Sequence, residues 1–412
     1  MGGAGQQGAR QAAAAIARAQ LTRRRVLGAA GIGGAALALS ACGASDAALA
    51  PAGSGAGATA EPGAAEDLSA IDRTVNWSNW PLYIDTDDES GTRPSLDDFQ
   101  KLSNLTVAYT EDVNDNAEFY AKVRTQLEQG QDIGRDIVTL TDWMAALWIE
   151  NGFAQKLNKS IMPNWTNLVP KFFYAPFDPG RQYSLPWQSG FGALGWNKPL
   201  LQETLGTDTM SSLDQLFDPK LKGRVSVLSE MRDTMGIIMA WQGANPSDFT
   251  DDQFQKAIDE LAKQVDSGQI RQVSGNDYAG ALESGDVIAV IGWSGDMVQL
   301  GEDFGVALPE TGGTLWTDNM LIPALAQHKR NAELLMNYYY DPLVAAKVAA
   351  YVQYISPVEG AKEAMQEVDP SLVDNQWIFP SAETLSNAYV FMTLDAQKDV
   401  EYERMFTKAI GG

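Results

Sequence analysis

The chain of 412 residues contains one cysteine and one histidine, and both scarcities exclude kinds of site. A single thiol forms no disulfide within the chain, so the burial of apolar side chains must stabilise the fold. One imidazole cannot form a metal site alone. His328 lies beside polar and basic residues at a predicted helix start, where we expect a solvated surface residue. We expect neither a metal nor a cofactor.

Motifs of catalysis are missing as well. The sequence has no HExxH, CxxC, P-loop or GxSxG pattern, and nothing places His328 opposite a nucleophile. We therefore expect no catalytic residues and no enzymatic activity. Paired carboxylates could still serve a lipid-anchored hydrolase of the glycosidase type, so this alternative stays open at the level of the sequence.

Basic residues are scarce relative to acidic ones. The 30 Lys and Arg residues stand against 53 Asp and Glu residues, which gives a formal net charge of −23. Residues 1–41 hold five arginines and no acidic residue, so the rest of the chain carries −28. Such a surface repels nucleic acid, and no basic run follows Arg25. An acidic surface instead favours cationic partners.

Long hydrophobic runs are also absent, and the nearest approach to one is the apolar stretch 28–38. It follows a basic start with the pair Arg23 and Arg24, and it leads through small residues to Cys42. This order is typical of a twin-arginine export signal of the lipoprotein type over residues 1–41, with lipid on Cys42 after cleavage. A retained membrane anchor is disfavoured, because a spanning helix needs about 20 apolar residues.

Composition divides the remainder into a tether and a folded body. Residues 42–70 are rich in Ala, Gly, Ser and Pro and lack apolar periodicity, which predicts a flexible tether. We expect the folded body to begin near Arg73. Its roughly 340 residues suit two domains rather than one.

From Arg73 onward, short β-branched or aromatic runs alternate with amphipathic stretches, which predicts an α/β fold. The predicted strands cover residues 74–77, 106–109, 136–140, 193–196, 224–228, 287–292 and 305–308. The predicted helices cover residues 116–128, 251–265, 278–284, 330–339 and 342–351.

Aromatic residues are plentiful, with 11 Trp and 13 Tyr. Trp80, Trp143, Trp293 and Trp316 each follow a predicted strand or open a loop, with turn or acidic residues beside them. Ligands of open α/β sheets bind beyond the carboxyl ends of the strands, so these rings can line a cleft. Core packing explains any single ring, whereas four rings in the same context favour a site.

Acidic residues accompany the rings. Glu230 and Asp233 stand three residues apart at a predicted helix start, and Asp318 follows Trp316 closely. The helix dipole alone would also favour acids at that start. Aromatic faces attract cations, and carboxylates bind ammonium groups. The matching ligand is a flexible alkyl amine with several positive charges.

Several short stretches carry a family resemblance through their order and spacing. They are Asn79-Trp80 with Tyr83, Phe119-Tyr120-Ala121-Lys122, Pro176-Phe177-Asp178-Pro179, Tyr183-Ser184-Leu185-Pro186, Gly195-Trp196-Asn197, Gly312-Gly313 with Trp316 and Asp318, and Ala382-Glu383-Thr384. From about Thr74 to Ala409 the chain resembles the spermidine/putrescine-binding proteins of bacterial ABC importers.

The resemblance implies an α/β, two-lobed periplasmic-binding-protein fold, type II-like, with the ligand cleft between the lobes. Residues 71–189 and 318–362 would form lobe 1, and residues 190–317 and 363–412 would form lobe 2.

The resemblance also implies ligand-binding roles for ten residues of this chain. They are Trp80, Tyr83, Thr141, Trp143, Glu230, Asp233, Trp293, Trp316, Asp318 and Tyr354. Pro81 and Phe391 depart from the family pattern, which has polar residues there, and Asp296 is an extra acid close to Trp293. These differences leave the choice among putrescine, spermidine and a longer polyamine open.

The partners implied are a polyamine ligand and a membrane permease with a cytoplasmic ATPase, with the protein itself a monomer that binds no nucleic acid. It would be exported and lipid-anchored to the membrane, in the periplasmic space or on the outer face of the cytoplasmic membrane. Two alternatives stay open at this level. One is a receptor for another organic cation, such as a betaine or an amino sugar, and the other is a lipoprotein that senses polyamines for signalling.

Overall fold

The structure is a computed structural model that describes residues 65–87 and 89–411. The predicted export signal, with Arg23, Arg24 and Cys42, lies outside the described residues, as does most of the predicted tether. Within the described ranges, no helix is long and apolar enough to cross a membrane.

Ten strands form one mixed sheet in this part of the chain. They are β1 (Thr74–Asn79), β2 (Thr106–Glu111), β3 (Ile137–Thr141), β4 (Ser184–Asn197), β5 (Val225–Leu228), β6 (Ile270–Ser274), β7 (Ala289–Trp293), β8 (Phe304–Ala307), β9 (Gly313–Leu321) and β10 (Ala388–Tyr389). Their order across the sheet is β2-β1-β3-β9-β4-β7-β5-β6, with β8 beside β4 and β10 beside β9.

The sheet consists of two parallel groups joined by an antiparallel centre. Strand β1 pairs in parallel with β2 and β3, and β5 pairs in parallel with β6 and β7. Strand β9 runs antiparallel to β3 and β4, and β4 runs antiparallel to β7. The chain therefore crosses from the first group to the second through β4 and returns through β9.

Helices alternate with the strands along the chain. The α-helices are α1 (Pro94–Ser103), α2 (Asn116–Glu128), α3 (Asp142–Glu150), α4 (Lys198–Leu205), α5 (Leu213–Leu216), α6 (Met231–Trp241), α7 (Asp251–Asp266), α8 (Tyr278–Glu283), α9 (Ser294–Gln299), α10 (Lys329–Tyr339), α11 (Pro342–Val352), α12 (Ala361–Val368), α13 (Ala382–Ser386) and α14 (Ala396–Ala409). Short 3₁₀ helices cover Lys159–Ile161, Pro163–Asn167, Pro170–Phe173, Pro219–Leu221 and Pro370–Leu372.

Local sequence explains where two of the helices begin. The Asp115 carboxylate accepts hydrogen bonds from the amides of Ala117 and Glu118 and so caps α2. Thr250 and Gln253 form a capping box at the start of α7. The apolar face of α7 is buried against the rest of the molecule, which stabilises the helix through packing.

All predicted elements coincide with elements of the structure, and α2 has the predicted bounds. The strand predicted at 193–196 is only the end of β4, which begins at Ser184. Strands β6 and β9 and the two-residue strand β10 escape the sequence pattern. In β9 the polar residues Thr314, Thr317 and Asp318 are buried, so the strand lacks the apolar alternation by which strands are predicted.

The prediction that His328 is a solvated surface residue is wrong. Its side chain is buried at the start of α10, and Nδ1 lies 3.0 Å from both carboxylate oxygens of Asp136. The backbone N–H of His328 also donates to Asp136. Because Asp136 is itself buried, the imidazole is held as the partner of a buried acid.

The first described residues contact the same helix. The Leu68 amide donates to the Gln327 carbonyl at 2.7 Å, and the Asn331 amide donates to Ser69 Oγ at 3.2 Å. Leu68 and Ser69 belong to the stretch that the sequence pattern assigns to the tether. The end of that stretch is therefore bound to the start of α10.

Candidate functional site

A cavity of about 390 Å³, its mouth included, lies where strands of both parallel groups end. Trp80 follows β1, Thr141 ends β3, Glu230 follows β5 and Trp293 ends β7. The lining residues are Trp80, Pro81, Tyr83, Thr141, Glu230, Asp233, Asn276, Trp293, Asp296, Trp316, Asp318 and Tyr354. This position, beyond the carboxyl ends of parallel strands, is the usual ligand site of open α/β sheets.

Asp318 is held by hydroxyl groups from the first parallel group. Tyr83 Oη donates to one carboxylate oxygen at 2.9 Å, and Thr141 Oγ1 donates to the other at 2.7 Å. The side chain of Asp318 comes from β9, the strand on which the chain returns to the first group. Two donors from different segments thus fix the orientation of one carboxylate in the cavity wall.

Two more acids stand at the start of α6. Trp293 Nε1 donates to Asp233 at 2.9 Å, and the Thr314 hydroxyl donates to the other oxygen of Asp233. Glu230 accepts a hydrogen bond of 3.1 Å from Asn116 Nδ2, so this contact joins the start of α2 to the start of α6. Acids at a helix start are also favoured by the helix dipole.

The fourth acid, Asp296, lies in the first turn of α9. Tyr354 Oη donates to Oδ1 at 2.6 Å, and Tyr278 Oη donates to Oδ2 at 2.9 Å. Asn276 Nδ2 donates to Oδ2 at 3.1 Å. The carbonyl oxygen of the Asn276 side chain is buried and accepts no hydrogen bond from the described residues, so it can accept one from a ligand.

Aromatic rings form the rest of the wall. Trp80 and Trp293 meet edge to face at 5.8 Å between ring centroids, and Tyr354 meets Tyr83 at 5.4 Å and Trp316 at 5.3 Å. Two of these rings, those of Trp316 and Tyr354, lie directly against the backbone of a glycine. A Cβ atom at residue 190 would come within 2.5 Å of the Trp316 ring, and one at residue 295 within 2.6 Å of the Tyr354 ring.

Burial raises the pKa of all four carboxyl groups. It raises the pKa of Asp318 to about 7 and that of Asp296 to about 6. The pKa of Glu230 is raised well above its ordinary value by burial and by the nearby charge of Asp115, and burial raises the pKa of Asp233 as well. Each acid is less than a tenth exposed. Removal from water disfavours the charged form of a carboxyl group.

The four acids lack a basic partner in the described part of the chain. Among residues 65–87 and 89–411, none of the four carboxylates forms an ion pair with a lysine or arginine. The charge of Arg232 lowers the pKa of both Glu230 and Asp233, but the ion pairs of Arg232 in the described chain are with Asp399 and Glu403. Buried charges are ordinarily paired, so this cavity is suited to a cation from outside.

The structure brings together nine of the ten residues with predicted ligand-binding roles. The exception is Trp143, which is absent from the cavity lining and lies under the guanidinium group of Arg232. Pro81 and Asp296 line the cavity, whereas Phe391 packs against Phe249 at 5.2 Å between ring centroids.

Sequence reasoning misses Asn276, which also lines the cavity. This residue lies between β6 and α8, and β6 is one of the three strands that the pattern does not reveal. Without that strand, nothing in the sequence places residue 276 at the end of a strand.

Comparison with known proteins identifies the family. Residues 95–376 match the model of the bacterial extracellular solute-binding proteins. The chain is 26% identical over 342 residues to the spermidine/putrescine-binding periplasmic protein of Escherichia coli, covering 82% of this chain and 92% of that protein. It is 27% identical over 363 residues to the putrescine-binding periplasmic protein PotF of E. coli, covering 84% and 93%.

The fold also matches those of solved structures. The spermidine/putrescine ABC transporter substrate-binding protein PotD of Streptococcus pneumoniae aligns with a TM-score of 0.64 at 22% identity, covering 82% of this chain and 98% of that chain. The predicted α/β, two-lobed periplasmic-binding-protein fold is confirmed. With more than half of its length matched by the family model, the chain belongs to the bacterial extracellular solute-binding proteins.

Proposed function

We propose that this protein is the substrate-binding receptor of an ABC importer and that it captures polyamines of the spermidine and putrescine class. The observation that carries the proposal is the set of four buried carboxylates, without a basic partner in the described chain, inside a cavity walled by aromatic rings. A linear amine with two or more charges supplies the missing cations and lays its methylene groups along the rings.

The energies are sufficient for tight binding. A hydrogen bond to a charged group contributes about 1.5–3 kcal/mol, and a cation–π contact contributes about 0.5–2 kcal/mol. Micromolar affinity requires about 8 kcal/mol net. The summed contributions of four acids and five rings exceed this net binding energy. The excess offsets the desolvation of the ammonium groups and the ordering of the ligand.

The number of acids distinguishes polyamines from other organic cations. A betaine or an amino sugar carries one cationic group and neutralises one carboxylate. Asp318 and Asp296 are held by separate sets of hydroxyl donors, so they offer separate positions for ammonium groups. The names of the curated relatives point to the same ligands, spermidine and putrescine.

Isothermal titration calorimetry of the purified chain tests the ligand. We expect binding of one molecule of putrescine or spermidine with micromolar or better affinity, and no comparable binding of glycine betaine or glucosamine. Tighter binding of betaine or glucosamine than of any polyamine would overturn the assignment.

We further propose that the protein is exported, lipid-anchored through Cys42, and docked on a membrane permease that an ATPase drives. Support comes from the order of the Arg23–Arg24 pair, the apolar stretch and Cys42, and from membership of a family of extracellular proteins. Fatty-acid labelling in cells provides the test. The label is expected on the wild type and not on Cys42→Ser, and equal labelling of both would contradict the anchor.

A further inference from the structure

Trp143 stands apart from the other aromatic residues that the sequence assigns to the ligand. Its indole face is covered by the guanidinium group of Arg232, whose central carbon lies 3.9 Å from the ring centroid. Trp143 belongs to α3 and follows Thr141, a cavity residue, by two positions. The ring is therefore close in sequence to a cavity residue, while its face is covered by an internal cation.

Arg232 is fixed from its other side by the C-terminal helix. It forms ion pairs with Asp399 and with Glu403 of α14, the latter at 3.4 Å, and its side chain is only 12% exposed. Burial raises the pKa of Glu403 to about 7, and the charge of Arg232 opposes this shift. The guanidinium thus neutralises two acids that would otherwise be partly buried without a cation.

This cluster repeats the chemistry of the cavity. An aromatic face and two carboxylates surround one cation, as rings and carboxylates surround the space in the main cavity. The two places are neighbours, because the charges of Arg232 and Glu403 both act on the carboxyl group of Glu230, which lines the cavity and accepts a hydrogen bond of 3.1 Å from Asn116. The difference is that the cation of the cluster belongs to the protein.

We propose that Arg232 occupies a cation subsite contiguous with the cavity and thereby limits the length of the amine that the protein accepts. With the arginine in place, the ligand ends at Glu230, so diamines and triamines fit better than tetraamines. This inference rests on the proposed function, because a limit on ligand length has meaning only for a chain that binds amines.

The test compares putrescine and spermine on the full chain and on Arg232→Ala by calorimetry. Loss of the guanidinium frees the Trp143 face and the two acids of α14 for the end of a longer amine. We expect the affinity for spermine relative to putrescine to rise by about tenfold or more. Adding Trp143→Ala to Arg232→Ala is expected to remove most of this gain. A ratio in Arg232→Ala equal to that of the wild type would overturn the proposal.

Two controls separate length selection from a general loss of charge. Arg404→Ala removes a positive charge from an exposed position of α14, the helix that carries Asp399 and Glu403, and is expected to leave the ratio unchanged. Arg232→Gln keeps a side chain over the ring and is expected to shift the ratio less than Arg232→Ala does. An equal shift in Arg404→Ala would mean that charge, and not the opened subsite, is responsible.

A second measurement is independent of polyamine binding. Methylguanidinium is expected to raise the melting temperature of Arg232→Ala, because it can refill the place between Trp143 and the two acids, and to leave the wild type unchanged. If the wild type binds no polyamine, the proposed function fails while this experiment still decides the subsite. Equal effects on both proteins would then overturn it.

Discussion

At the scale of single residues, Asp318 offers a sharp test of the site. Asp318→Asn keeps the shape of the side chain and removes its charge, so we expect polyamine affinity to fall by about tenfold or more, the effect of one charge-assisted hydrogen bond. Calorimetry at pH 8 measures the change. The matched control is Asp374→Asn, whose side chain is 94% exposed, and it is expected to bind like the wild type. Unchanged affinity in Asp318→Asn would contradict the placement of an ammonium group there.

Single residues also show which parts of the site could be predicted from the sequence. Trp80 and Glu230 could be predicted because each lies shortly after the end of a predicted strand. The position of Trp143 could not, because the cation that covers it is held by Asp399 and Glu403, far along the chain. Contacts between distant segments leave no periodic signal, so a residue of the right type beside a strand is not enough to place it in the cavity.

At the scale of elements, the contact between His328 and Asp136 ties the start of α10 to the beginning of β3. Burial lowers the pKa of His328, but the hydrogen bond and charge of Asp136, together with those of Asp72, outweigh it, so the net pKa is raised. A raised histidine pKa stabilises the fold below the unfolded pKa of about 6.5, and this stabilisation is lost as pH rises through the folded pKa.

We therefore expect His328→Gln to lower the free energy of unfolding by about 1–2 kcal/mol at pH 6 and by clearly less at pH 9. Thermal or urea unfolding at the two pH values measures the difference. Exposed Gln327, changed to Ala, serves as the control on the neighbouring position. An equal loss at both pH values would show that packing, and not the charge of the imidazolium, holds α10 in place.

Strand β4, which is predicted only at its end, and strand β9, which is not predicted, depart from the strand pattern for a related physical reason. In β4, glycines interrupt the apolar run at 190, 192 and 195, because side chains of other segments lie directly against the backbone there. In β9, Thr314 and Asp318 are polar because they serve the cavity acids or are among them. Both strands cross the centre of the sheet and build the site, so function has altered the pattern by which strands are recognised.

At the scale of the whole molecule, binding and protonation are coupled. With pKa values of about 7 for Asp318 and about 6 for Asp296, these groups are partly protonated near neutral pH in the free protein. A bound ammonium group favours the charged form, so binding releases protons. Affinity is therefore expected to rise as pH increases from about 6 to 8.

Calorimetry in two buffers of different ionisation enthalpy measures this release. At pH 6.5 we expect the observed heats to differ between the buffers, and at pH 8.5 we expect them to agree. The folding stability of the free protein should depend on pH in the opposite sense and fall as pH rises. The raised pKa values of the same acids stabilise it below about pH 4, and this contribution is lost as pH rises through 6 to 7. Buffer-independent heats at pH 6.5 would contradict the coupling.

Within the described residues the four cavity acids have no basic partner, and this also affects how the protein must be handled. Small ammonium ions such as Tris or ammonium itself match the same carboxylates, and they are present in many preparations at concentrations far above that of the protein. A sample purified in an amine buffer therefore carries a competitor into every titration. Dialysis into phosphate should tighten the apparent affinity. The buffers used during purification therefore affect any dissociation constant measured on the sample.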